Sequence, residues 1–262
     1  MTWTVARCSA LLRGFFALIL FVLLSSLLLA GCAGGKKTTA SVAGSVEAPA
    51  DSLKAKFSIT IYSEDGSSQD LDAVLFSVPN KRYRMELTAM MGVGVASLLW
   101  LESGWQMVFP TERMYVTGAG YMVGLFTDPS IPMVHIHQVA GLFDGKVLPE
   151  KLEEVSTRDS VANDSAVVKI REARDPFTRR YTYAEKNGEV LWLETLGRDG
   201  KDEKLVIEEY KVFSGVKTPS KISFIRDGAT FLEIRVKKVY RDKSFSSGTW
   251  RLNIPRNYKP LG

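Results

Sequence analysis

Residues 56–66 read Lys56-Phe57-Ser58-Ile59-Thr60-Ile61-Tyr62-Ser63-Glu64-Asp65-Gly66. Phe57, Ile59 and Ile61 alternate with Lys56, Ser58 and Thr60, and Glu64-Asp65-Gly66 stops the run. A period of two places the apolar side chains on one face of an extended strand, and two acids before a glycine are turn chemistry. The pattern repeats along the chain. Residues 71–78 predict a second strand, more apolar on both faces, which Pro79-Asn80 ends. In a third, Tyr83, Met85 and Leu87 alternate with Arg82, Arg84, Glu86 and Thr88. Further strands are expected over 95–101, 105–109, 114–117, 166–171, 179–184, 189–196, 204–210, 220–225, 231–239 and 249–254. Lys186-Asn187-Gly188, Arg198-Asp199-Gly200 and Asp227-Gly228 supply hairpin turns. Helix is scarce: Pro132 is placed to open one through residues 133–140. The expected fold is mostly β, a strongly curved antiparallel sheet forming an open half barrel with a short helical lid over an apolar cavity. Lid candidates are Leu125, Phe126, Ile131 and Met133.

Upstream of this body the composition changes. Residues 33–51 are small, polar and aperiodic, a flexible linker that could span about 60 Å when extended. Before it, Arg7 and Arg13 give a positive start, and an apolar run from Phe15 to Leu29 leads to Ala30-Gly31. That is the layout of a secretory signal, and the run is shorter than the roughly 20 residues of a comfortable membrane span. Leu29-Ala30-Gly31-Cys32 resembles the lipobox of bacterial lipoproteins, which implies cleavage before Cys32 and acylation of its thiol. The resulting division is a signal over 1–31, a lipidated N-terminus and linker over 32–53, and one domain over 54–262. Ala33 follows the cysteine where an aspartate would argue for retention, so by analogy with lipoprotein sorting the anchor is expected in the outer membrane, facing the periplasm.

Charge and cysteine usage narrow the function. The chain of 262 residues carries 34 Lys and Arg against 29 Asp and Glu, a formal charge of +5 that falls to +3 once Arg7 and Arg13 leave. Bases and acids are interleaved along the sequence, so nucleic acid is not an expected partner. Only Cys8 and Cys32 are present, so the mature chain is expected to have no disulfide and must rely on a core. No Gly-x-Ser-x-Gly elbow occurs, and Gly92-Val93-Gly94 and Gly118-Ala119-Gly120 lack the context of a phosphate cradle. His135 and His137 face apart on a helix and together on a strand, and read as solvated or capping lid residues. No catalytic residue, metal or cofactor is expected.

Three stretches resemble the LolB family, outer-membrane lipoproteins that receive other lipoproteins and place them in the membrane. Arg82-Tyr83-Arg84-Met85-Glu86-Leu87-Thr88-Ala89-Met90-Met91-Gly92 looks like that family's third strand and its loop, with Met91-Gly92 where an apolar residue precedes glycine. Ile131-Pro132-Met133 through Gly141-Leu142-Phe143-Asp144-Gly145 is similar to its proline-initiated lid helix and closing glycine. Glu209-Tyr210-Lys211 with Thr218-Pro219-Ser220-Lys221-Ile222 resembles its closing hairpin. The chain departs from the family between Gly145 and Leu205, where a longer segment carries extra strands similar to those of the periplasmic carrier that shares the fold.

The resemblance implies a domain that binds acyl chains and assists lipoprotein localisation or insertion, with a LolA-like carrier as a candidate partner, and that works as a monomer. On this reading Met90, Met91 and Val93 form an apolar loop that touches the membrane; hairpin tips are ordinarily polar. The cavity would be lined by Phe57, Ile59, Tyr83, Met85 and Leu87 on the first strands, and by Leu99, Trp105, Met107 and Trp192 beyond them. The alternative is a structural or envelope-assembly lipoprotein that uses the same fold to bind a protein partner.

Overall fold

The computed structural model describes residues 52–120, 124, 134–148, 152–161, 167–174, 179–196 and 200–261. The apolar leader, Cys32, the linker up to residue 51 and the expected lid residues Leu125, Phe126, Ile131 and Met133 lie outside them.

Strand β1 (Leu53–Tyr62) keeps the alternation of its sequence, with Leu53, Ala55, Phe57, Ile59 and Ile61 buried. An antiparallel meander follows through β2 (Ser68–Val78), β3 (Arg82–Thr88), β4 (Gly94–Leu101), β5 (Gly104–Phe109) and β6 (Met114–Gly118). Helix α1 (Ile136–Phe143) comes next. A second meander runs through β7 (Glu153–Val161), β8 (Val167–Arg174), β9 (Arg180–Lys186), β10 (Glu189–Leu196), β11 (Asp202–Phe213), β12 (Val216–Arg226) and β13 (Ala229–Arg241). Its last strand pairs with the first strand of the other meander, Leu53 opposite Arg241 and Ile61 opposite Leu232. A short β14 (Lys259–Pro260) adds to β6 in parallel. The result is a single curved 14-stranded sheet that does not close, ending in β14 on one side and β7 on the other.

The turns follow from local chemistry. Asn187-Gly188 and Asp227-Gly228 have φ of 53° and 80°, and of 51° and 80°. Both central residues are therefore left-handed, which suits the twist of the strands they join and favours Asn or Asp before Gly.

Helix α1 explains the curvature. It packs against both β3 and β12, which lie four strands apart in the sheet. On a flat sheet that separation is about 19 Å, so one narrow helix reaches both only if the strands curl around it. Ile136, Val139, Ala140, Leu142 and Phe143 of α1 are buried, and the Phe143 ring lies 4.9 Å from that of Phe57. Burying the four larger of these side chains, Ile136, Val139, Leu142 and Phe143, stabilises by about 1.5–3 kcal/mol each. The helix starts at Ile136, later than the expected opening at Pro132, and His135, with an extended backbone, takes the capping position. At the other end Lys146 N–H donates to Gly141 O at 2.8 Å and Gly145, at φ 76°, donates to Leu142 O at 3.3 Å. These two bonds close the carbonyl end in the usual glycine-terminated manner. Arg241 of β13 completes it, donating from Nη2 to Phe143 O at 2.5 Å and to Thr218 Oγ1 at 3.2 Å.

The convex side has its own cover. Past β13 the chain crosses β2, β3 and β4 as a strap, and Phe245, Trp250 and Leu252 form an apolar cluster with Phe76, Val78, Leu99 and Leu101. Arg84 donates to the carbonyls of Thr249 (2.8 Å) and Arg251 (3.1 Å), and Arg82 lies over the Trp250 ring at 4.5 Å. Residues 249–254, expected as a strand, belong to this strap: Ser247–Trp250 is one tight helical turn and no ladder follows until β14. Conversely, β7 was not expected as a strand.

Candidate functional site: the concave face and the β3–β4 loop

Six of the nine residues expected to line a cavity share the concave face. Phe57, Ile59, Tyr83, Met85, Leu87 and Met107 are all buried in the cluster that also contains α1. Cross-strand pairing joins them: Phe57 faces Ala73, Leu75 faces Met85, and Met107 faces Leu98. Trp105 is half-buried against the same cluster. Its indole lies flat over Gly118, where a Cβ would stand 2.4 Å from the ring, so the glycine makes the space that Trp105 fills. Among the described residues the buried indole Nε1 has no hydrogen-bond partner. Phe109 and Val116 continue this half-buried apolar rim towards the β6 edge.

Two expected lining residues face the other way. Leu99 is buried beneath the strap with Val78 and Trp250, because β4 is covered on both sides. Trp192 pairs with Val206 and Ala184, whereas its neighbour Leu193 pairs with Leu205 and Tyr183 in the core. A register shift between Val190 and Trp192 breaks the alternation, so simple parity selects the wrong residue. The outward Trp192 ring is capped by the Lys204 ammonium at 4.4 Å, which is also held by Glu194 at 2.6 Å.

A further part of the concave face was not anticipated. His137, in the first turn of α1, sits edge-on between Tyr83 (4.7 Å) and Trp100 (4.6 Å). Burial, and secondarily the nearby His135, pulls its pKa down to about 4. A neutral imidazole therefore serves as a third aromatic surface at the helix N-terminus instead of a solvated lid residue. Tyr83 also ties the adjacent β2–β3 turn, accepting from Asn80 N–H at 2.9 Å. Among the described residues no three His, Cys, Asp or Glu come together in a way that could hold a metal ion.

The β3–β4 loop has a different character. Met90–Gly92 forms one tight turn, closed by Ala89 N–H to Val93 O at 2.8 Å and Gly92 N–H to Ala89 O at 3.2 Å. Met91 takes a left-handed conformation (φ 62°, ψ 18°) and Gly92 follows at φ 76°. For a residue with a Cβ that conformation costs about 1–2 kcal/mol. Its side chain is 98% exposed, and Val93 is 48% exposed. The side chain of Met90 lies outside the described set. The loop thus presents a strained, wholly solvated methionine, and nothing in the fold's packing requires it there.

The sequence matches no protein-family profile and none of the curated proteins. Its fold does match solved structures. A DUF1329 family protein from Desulfovibrio piger aligns with a TM-score of 0.57 at 11% identity, over 77% of this chain and 90% of that one. A LolA superfamily protein from Nitrosomonas europaea aligns at 0.54 and 11%, over 78% and 91%. A domain described as a putative outer-membrane lipoprotein-sorting protein from Vibrio parahaemolyticus aligns at 0.50 and 10%, over 76% and 89%. Each likeness covers about three quarters of this chain and shows a shared fold, an open, curved antiparallel sheet with one helix. No helix among the described residues is long and apolar enough to cross a membrane.

Proposed function

We propose that this chain is an outer-membrane lipoprotein, anchored through Cys32, that holds acyl chains against the concave face and assists lipoprotein localisation or insertion. The observation that carries the reading is Met91, 98% exposed on a left-handed turn with half-exposed Val93 beside it. An unbranched, polarizable side chain suits contact with irregular apolar partners. The fold is shared with proteins of lipoprotein sorting, and the half-buried rim of Trp105, Phe109 and Val116 offers an apolar approach to the core. Transfer would require no bond-making chemistry, only an affinity for acyl chains close to the membrane's own. The reading accordingly includes no catalytic group, and it leaves room for a LolA-like carrier as donor.

The test pairs stability with transfer. Met91→Glu should leave the thermal midpoint nearly unchanged, since exposed substitutions stay within about 0.5 kcal/mol. It should impair transfer of a fluorescent fatty acid or lipoprotein into liposomes, because a carboxylate must be desolvated or protonated to enter an apolar phase. Normal transfer would refute the loop's role and favour a partner-binding envelope protein.

A further inference from the structure

The convex side of β1 and β13 carries a positive patch that the order of residues in the chain disperses. Leu53, Ala55 and Phe57 point into the core, so Lys54 and Lys56 point outward. Lys56 stands directly opposite Lys238, and Lys54 opposite Tyr240. Lys243 follows, its ammonium 5.9 Å from the Tyr240 ring, while that of Lys54 lies 4.9 Å from Phe76. Among the described residues none of these four lysines has a salt bridge, although Lys237 beside them is held by Asp72. The strap extends the charge: it begins with Asp242, and the residues after it, 243–262, include Lys243, Arg251, Arg256 and Lys259 and no Asp or Glu. Like charges directly opposed across a ladder destabilise a sheet. A neutral strand-forming residue such as Thr at Lys56 or Lys238 would remove that repulsion.

We propose that this face docks the body onto the anionic headgroups of a membrane leaflet. The lysines are spread over an outer surface instead of converging on a pocket, which fits a two-dimensional array of charge. The linker also enters the body here: Ser52, which precedes Leu53, donates its hydroxyl to Lys243 O at 2.7 Å. A chain tethered by lipid upstream of residue 52 would keep this patch near the headgroups, within reach of attraction that decays over about 10 Å at 0.1 M salt. The identity of that leaflet rests on the lipoprotein reading above; the charge arrangement does not. The patch lies towards the Leu53 end of β1. Met91 lies beyond Thr88, which pairs with Asp72 and through it lies level with Ser58 in the middle of β1, so the loop projects on towards the Tyr62 end, away from Leu53. The two surfaces can therefore be altered separately.

The test uses the Cys32→Ala chain, with vesicles of phosphatidylcholine alone and of phosphatidylcholine mixed with phosphatidylglycerol. Binding should favour the mixed vesicles, and that preference should shrink as salt is raised. Each lysine at an anionic surface contributes about fivefold, so Lys56→Gln with Lys238→Gln should cut the preference roughly 25-fold. The thermal midpoint of that double variant should stay level or rise, because the opposed charges are gone. Met91→Ser should weaken binding to both vesicle types alike, so a failure of the loop is distinguishable from a failure of the patch. Equal binding to both vesicles, or an unchanged preference in the double variant, would overturn the proposal. So would a lowered midpoint, which would make the lysines structural, or binding of polyglutamate without any preference for anionic vesicles.

Discussion

Arg241→Met should loosen α1 from the sheet and lower stability by about 2–4 kcal/mol. The magnitude follows from what the guanidinium holds. It donates to Phe143 O at 2.5 Å and to Thr218 Oγ1 at 3.2 Å, with Thr218 wholly buried. A hydrogen bond from a charged donor contributes about 1.5–3 kcal/mol, and an acceptor left buried without a partner adds a penalty of similar size. A cation at a helix C-terminus adds about 0.3–1 kcal/mol, up to ~2 when partly buried. Set against this is the desolvation recovered by removing a mostly buried charge, and Met retains most of the side-chain volume. Arg241→Lys keeps the charge but cannot reach both acceptors, so it should fall between. Urea unfolding reports the size of the loss, and amide exchange reports its place. The Asp144, Gly145 and Lys146 amides that close the helix should exchange faster than those of β1 and β2. A loss below about 0.5 kcal/mol, within the range of an ordinary surface change, would refute the assignment of Arg241 as the clasp of the helix.

Other consequences are as direct. Gly118→Ala places a Cβ 2.4 Å from the Trp105 ring, so the indole must swing out; tryptophan emission should shift to longer wavelength and stability should fall. His137 binds a proton less readily in the folded protein, with a pKa of about 4 against an ordinary 6.5. The unfolded chain therefore takes up more protons between these values, and stability is lost as pH falls through that window. His137→Phe should flatten the urea midpoint between pH 6.5 and 4 if this holds. Cys32→Ala should let a high-salt wash release the protein from the membrane into the soluble fraction, since only the salt-sensitive contact of the lysine patch would remain; a mutant that stays in the membrane after the wash would contradict anchoring by lipid.

Much of the fold was legible from period two alone, because most strands bury one face in the common core on the concave side and expose the other. β3 and β10 coincide with their expected bounds. β7 was invisible for the opposite reason: Glu153 to Arg158 are exposed at every position, as an edge strand with solvent on both faces allows. Residues 249–254 misled because Trp250 and Leu252 pack on the sheet's back while the residues between them face water, which imitates a strand without a ladder. The same cover accounts for Leu99, since β4 has an interior on each side. A one-residue irregularity was enough to exchange Trp192 for Leu193. Met91 was legible as an anomaly, being apolar where a turn should be polar. The lysine patch was not, because Lys56 and Lys238 meet only after the sheet is assembled.

The pairing of β1 with β13 also dictates the order in which this molecule can assemble. β1 is the first strand of the body to be made, and its second neighbour is the last long strand, with Leu53 waiting for Arg241. The meander from β1 to β6 can zip locally, but one flank of β1 stays unpaired until nearly the whole chain is available. The helix clasp arrives with β13, which Arg241 ends, and the strap that carries Trp250 follows it. Contacts this distant in sequence make folding slow. A body with that topology remains threadable until β13 emerges, so passage across a membrane in an extended state would not have to compete with a finished domain.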